Sequence, residues 1–184
     1  TDPAVLKMLA LAHKEGGGIK ELSRKVKIVP VSVSYEVDPC ALRKAHELCV
    51  VQKVGQYEKS QSEDLESMLQ GIVGYKGRVH LSISPPLAQQ HESLGDLCQK
   101  IDEQIVSRIK VYPTHVEGVS RLAITDKSFA GLDDSGVPEL EAAMTSMLAD
   151  LDSCPEEEKT FFLLQYANVL KNKLEVIQHA PPLA

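Results

Sequence analysis

Two short runs of alternating residues limit what this 184-residue chain can fold into. The first, Lys27 to Tyr35, is rich in β-branched residues and alternates from Val31 onward. The second, Gly77 to Ser84, alternates with period two and stops at Pro85-Pro86. Both predict strands, and no other segment reads that way. Two strands do not make a stable sheet alone, and the helical segments have more apolar face than two strands can cover. The expected fold class is α/β, with a partial mixed sheet flanked by helices and a mostly helical C-terminal region. Residues 1–90 are expected to hold the sheet, and residues 91–184 to form a helical extension packed on it.

The helical pattern is read from apolar spacing and from entry and exit signals. Thr1-Asp2-Pro3 opens a helix over 3–15, with Val5, Leu6, Leu9 and Ala12 on one face and Gly16-Gly17-Gly18 as its stop. A helical turn around Ile19–Arg24 follows. Asp38-Pro39 leads into a helix ending near Val54. Ser60 to Glu63 reads as a capping box for a helix carrying Leu65, Met68, Leu69 and Ile72 and ending at Gly74 or Gly77. Ser93 to Asp96 opens a helix with a stripe of Leu94, Leu97, Ile101, Ile105 and Ile109. Further helices are expected over 115–124, about 138–150 and about 156–177, with a loop at Asp133–Gly136 and a frayed tail at Ala180–Leu183. Pro30 cannot donate a ladder hydrogen bond, so it belongs at an edge, a bulge or a ligand-facing position.

Charge narrows the function classes. Twenty-six acidic residues against 20 basic ones give a formal charge of −6, the wrong sign for a nucleic-acid binder or a polybasic membrane anchor. No apolar run approaches the ~20 residues that span a bilayer. Aromatic residues are 4% of the chain and Trp is absent, so the core must be aliphatic. Cys40, Cys49, Cys98 and Cys154 are scattered, without C-x-x-C or metal-ligand spacing, and read as reduced buried thiols of a cytoplasmic protein. Residues 1–20 lack the order of a signal peptide.

Few residues invite chemistry. His91 and Asp96 match H-x-x-x-x-D, in which a carboxylate orients an imidazole that takes a proton from a hydroxyl. The same residues also fit a loop histidine and a carboxylate at the third position of a helix cap. Lys76-Gly77-Arg78 places two cations and a glycine at a strand entrance, as either a phosphate cradle or a solvated turn. His80 reads as a strand histidine on the face opposite Val79 and Leu81. Glu36, at the end of the first strand, is either a binding carboxylate or a polar closing residue. Nucleotide-binding, serine-hydrolase and zinc motifs are absent from the sequence.

The run Ile28-Val29-Pro30-Val31-Ser32-Val33-Ser34-Tyr35-Glu36, with Asp38-Pro39-Cys40 after it, resembles the fourth sequence block of glycerolipid acyltransferases. Gly71 to His80, then Ile101-Asp102 to Ile105, then Tyr166-Ala167-Asn168-Val169 with Asn172-Lys173, are similar to a bacterial phospholipid/glycerol acyltransferase subgroup in colinear order. The resemblance implies acyl transfer, in which a histidine base deprotonates a glycerol hydroxyl that attacks a thioester of coenzyme A or acyl carrier protein. It implies no metal and no bound cofactor, a lipid or glycerol-phosphate substrate, and peripheral contact with the inner face of the cell membrane. Val29, Pro30 and Val31 are the implied substrate-channel residues, and Lys76 and Arg78 are added as phosphate candidates. In that family the catalytic H-x-x-x-x-D precedes the Val-Pro-Val strand. Only 28 residues precede Val29 here, without that motif. His91 and Asp96 follow the strand, so the catalytic role does not carry over to them. The expectation is a chain lacking its upstream catalytic block, inactive alone and prone to self-association. The alternative is a non-catalytic binding or scaffold protein that keeps the fold.

Overall fold

The computed structural model describes residues 1–12, 26–87, 91, 93–122 and 138–179. The expected triple-glycine stop, the turn at 19–24, the loop at 133–136 and the tail lie outside the described residues. Among these residues stand seven helices and one two-stranded antiparallel sheet. Their order is α1 (Pro3–Ala12), β1 (Val31–Tyr35), α2 (Ala41–Val54), α3 (Glu63–Val73), β2 (Val79–Ile83), α4 (Leu94–Ser107), α5 (Pro113–Arg121), α6 (Pro138–Ser153) and α7 (Lys159–His179). A partial sheet flanked by helices, with a helical second half, is therefore what the chain forms.

The chain separates into two compact units interleaved along the sequence. One comprises Thr1–Val33, Leu81–Ile109 and Glu175–Ala184. Its core is Leu6 of α1 with Leu87 and with Leu97, Cys98 and Ile101 of α4. The α4 stripe is real as far as Ile105; the helix ends at Ser107, so Ile109 lies beyond it. Ser93 caps α4 as its sequence predicts, its hydroxyl accepting the Asp96 N–H at 3.1 Å.

The other unit comprises Ser34–His80 and Lys110–Leu174. Ala41 and Ala45 of α2 pack with Met147 and Leu151 of α6 and with Phe162, Leu163 and Tyr166 of α7. Gly118 of α5 meets α7 so closely that an added Cβ stands 2.8 Å from the Tyr166 Cβ, so only glycine permits that approach. Pro113 opens α5 at its first turn, where a missing N–H costs nothing. The Ser60 cap needs correction. Ser62 occupies the cap position of α3, but its hydroxyl donates to the Glu66 carboxylate at 2.8 Å and caps no backbone N–H, while Glu63, as the first helical residue, reaches back to the Ser60 N–H at 3.1 Å.

The alternation in β1 is present, with an unexpected polarity. Ser32 and Ser34 are buried, whereas Val31, Val33 and Tyr35 stand exposed. All four cysteines are buried and unpaired. No described helix is long and apolar enough to cross a membrane.

Candidate functional site

Beyond the end of β1 the chain turns inward, and Glu36 becomes fully buried. A carboxylate taken out of water needs both an opposite charge and hydrogen-bond donors. Arg78, just before β2, supplies both. Its Nη2 donates to Oε1 at 2.9 Å, and its Nε and backbone N–H donate to Oε2 at 3.1 and 2.9 Å. Gly77 makes this possible. Its φ is +60°, and a Cβ there would stand 2.8 Å from the Glu36 Oε2.

A second layer of contacts holds the clamp. The Arg78 guanidinium lies over the Tyr112 ring, 5.1 Å from its centroid. Thr114 Oγ1 donates to the Glu36 carbonyl. His115 is buried between two backbone groups: its Nδ1 accepts the Tyr112 N–H at 3.1 Å, and its Nε2 lies 3.2 Å from the Tyr35 carbonyl. An acceptor at Nδ1 fixes the proton on Nε2, so this imidazole is neutral. Burial pushes its pKa down to about 4. Tyr166, buried under α5, accepts the Asp38 N–H at 3.3 Å, and burial pushes its phenol pKa up.

The sequence-predicted residues fall in three places. Arg78 is engaged on Glu36, and Lys76 donates to the Ile72 and Gly74 carbonyls at 3.0 and 2.9 Å, closing the end of α3. The glycine between them serves the carboxylate of Glu36. Val29 and Val31 are exposed while Pro30 is buried, its carbonyl accepting the Ser84 N–H at 2.9 Å. Pro30 therefore sits just before β1, where its missing N–H interrupts no ladder bond. His91 and Asp96 do meet: Nδ1 is 3.1 Å from Oδ2, the imidazole is buried, and its Nε2 has no partner among the described residues. The Asp96 N–H donates to the Ser93 cap of α4 while its carboxylate lies against His91 Nδ1.

Tyr112, Thr114 and His115 were not singled out from the sequence. Pro113-Thr114-His115 reads only as a helix entry, and nothing local announces that it lands beneath the end of β1. His80 is exposed on β2. A cavity of about 480 Å³ is lined by Gln99, Asp102, Glu103, Glu175 and Val176, none of them a sequence-predicted candidate. No cluster of three or more metal-ligating side chains occurs among the described residues. No family model, no curated protein and no solved structure matches the chain.

Proposed function

We propose that this chain supplies the substrate-lining part of a glycerolipid acyltransferase, which moves an acyl group from a thioester donor to a glycerol-phosphate type acceptor. The observation that carries this reading is the exposure of Val29 and Val31 on either side of buried Pro30. An uncharged, β-branched surface at the entrance of β1, left open to solvent, is one along which a hydrocarbon chain can lie. The resemblance of the same strand to an acyltransferase sequence block supports the assignment. Acyl-coenzyme A or acyl carrier protein is the donor in this reading, and no metal takes part. The protein then works in the cytoplasm, against the inner face of the cell membrane.

The Glu36–Arg78 clamp serves that face indirectly, since it anchors the end of β1. The chemistry itself is not assigned to His91, whose Nε2 is buried. The test is binding of a fluorescent long-chain acyl-coenzyme A to the purified chain. Saturable binding weakened at least tenfold by Val31→Lys, without turnover of glycerol-3-phosphate or lysophosphatidic acid, is expected. Binding indifferent to Val29 and Val31 sinks the assignment and leaves a scaffold that keeps the fold. Turnover abolished by His91→Ala moves the chemistry to the His91–Asp96 pair.

A further inference from the structure

Helix α3 is mounted with its apolar side outward. Its contacts with the rest of its unit are made by polar and small groups. Cys40 Sγ donates to the Ser67 carbonyl, the Gln70 amide donates to the Pro39 carbonyl at 3.3 Å, and Gly74 abuts Pro39. Not one residue of the helix is buried. Leu65, Met68, Leu69 and Ile72, at three and four residue spacing, are 57 to 74% exposed, and Val73 continues the stripe.

Charge selects the occupant. The first turn of α3 carries Glu63, Asp64 and Glu66, and its far end closes on Lys76. Lys59 and Arg43 pair with Asp64 and Glu66, so this rim lacks the basic excess that draws an amphipathic helix to anionic lipid. Two copies of α3 laid antiparallel set the acidic turn of each beside Lys76 of the other. A parallel pair sets acid against acid. In the antiparallel arrangement Leu65 of one copy faces Ile72 of the other, and Met68 and Leu69 meet at the two-fold axis.

We infer that α3 is the interface of a two-fold symmetric dimer of this chain, formed by antiparallel pairing of its Leu65, Met68, Leu69 and Ile72 stripe. The inference is independent of the acyltransferase reading. It is tested by sedimentation equilibrium of the full chain over a concentration series. A monomer–dimer equilibrium is expected, with Leu69→Lys or Ile72→Lys raising its Kd at least tenfold. Val33→Lys on β1 is expected to leave it unchanged. These side chains are exposed in the single chain, so circular dichroism should show both helix variants folded. Mixing Leu65→Cys with Ile72→Cys under mild oxidation should give the mixed cross-linked dimer in preference to either homodimer. A chain monomeric at all concentrations, a dimer indifferent to Leu69→Lys, or a dominant Leu65→Cys homodimer overturns the inference. Vesicle binding lost in Leu69→Lys, from a chain that stays monomeric, assigns the stripe to lipid and overturns it as well.

Discussion

Arg78 closes three hydrogen bonds onto the carboxylate of Glu36, two from its guanidinium and one from its own backbone. The Glu36 side chain is almost fully enclosed, while the Arg78 side chain keeps about a third of its surface in water. That asymmetry decides what losing each partner costs. Removing a half-solvated cation is cheap in itself, but it strands a buried anion.

Arg78→Ala should therefore destabilise the chain by about 3 kcal/mol or more in urea unfolding. Arg78→Lys should recover only part, because an ammonium does not reproduce the guanidinium fork. Adding Glu36→Gln to Arg78→Ala should restore stability, since a neutral amide is far less costly to bury unpaired. A loss below about 0.5 kcal/mol for Arg78→Ala, the range of an ordinary surface change, is the result that returns Arg78 to the role of phosphate contact.

Two glycines with positive φ separate backbone strain from contact. Gly55, with φ of +87°, has nothing within 4 Å of a would-be Cβ, whereas Gly77 has the Glu36 carboxylate there. Gly55→Ala should cost about 1 kcal/mol, the left-handed penalty alone. Gly77→Ala should cost clearly more, because the new methyl displaces the Glu36 carboxylate. Equal unfolding midpoints for the two variants would show that the carboxylate yields freely.

His115 ties the end of β1 to α5 in its neutral form. Its pKa is lowered by burial from 6.5 to about 4, so the folded state binds this proton less readily than the unfolded chain does. The stability it confers is complete above about pH 6.5, declines as pH falls, and is gone below about pH 4. At 1.36 kcal/mol per unit the loss is about 3 kcal/mol across that window. Thermal unfolding at pH 7 and pH 4 should show a drop that His115→Asn reduces. A drop of equal size in the variant assigns the acid sensitivity to carboxylates instead.

Among the described residues, the buried hydroxyls of Ser32 and Ser84 have no hydrogen-bond partner. Ser32→Ala should be neutral or stabilising, by up to about 1 kcal/mol, because it removes an orphaned polar atom from an enclosed site. Urea unfolding checks this, and a loss above 1 kcal/mol means that a water satisfies the hydroxyl.

The helices were legible where capping chemistry and apolar spacing agreed. Ser93 shows this for α4, whereas α5, expected over 115–124 from no entry signal, begins two residues earlier at Pro113. Both strands appeared where alternation placed them, though shorter. Which face of β1 turns inward was not legible, because period two specifies alternation and not direction. Valines out and serines in reverses the ordinary assumption, and so does the outward stripe of α3. The Glu36–Arg78 clamp escaped for another reason. Its partners lie 42 residues apart, and a lone Glu and a Lys-Gly-Arg run carry no spacing that announces a pair. Tyr112 and His115 were invisible for the same reason.

The serine-inward face of β1 bears on strand register. A shift of β1 by one residue against β2 would turn Val31, Val33 and Tyr35 inward and Ser32 and Ser34 out, an exchange that hydrophobic burial alone favours. Burial therefore does not choose the observed pairing; it opposes it. What opposes the slip is fastened beyond the two ends of the strand. The Ser84 N–H meets the Pro30 carbonyl on one side, and Glu36 is bolted to Arg78 on the other. A one-residue slip would unseat both bonds and drag a carboxylate away from its cation. The ion pair thus acts as a register pin, holding a strand in the less hydrophobic of its two settings.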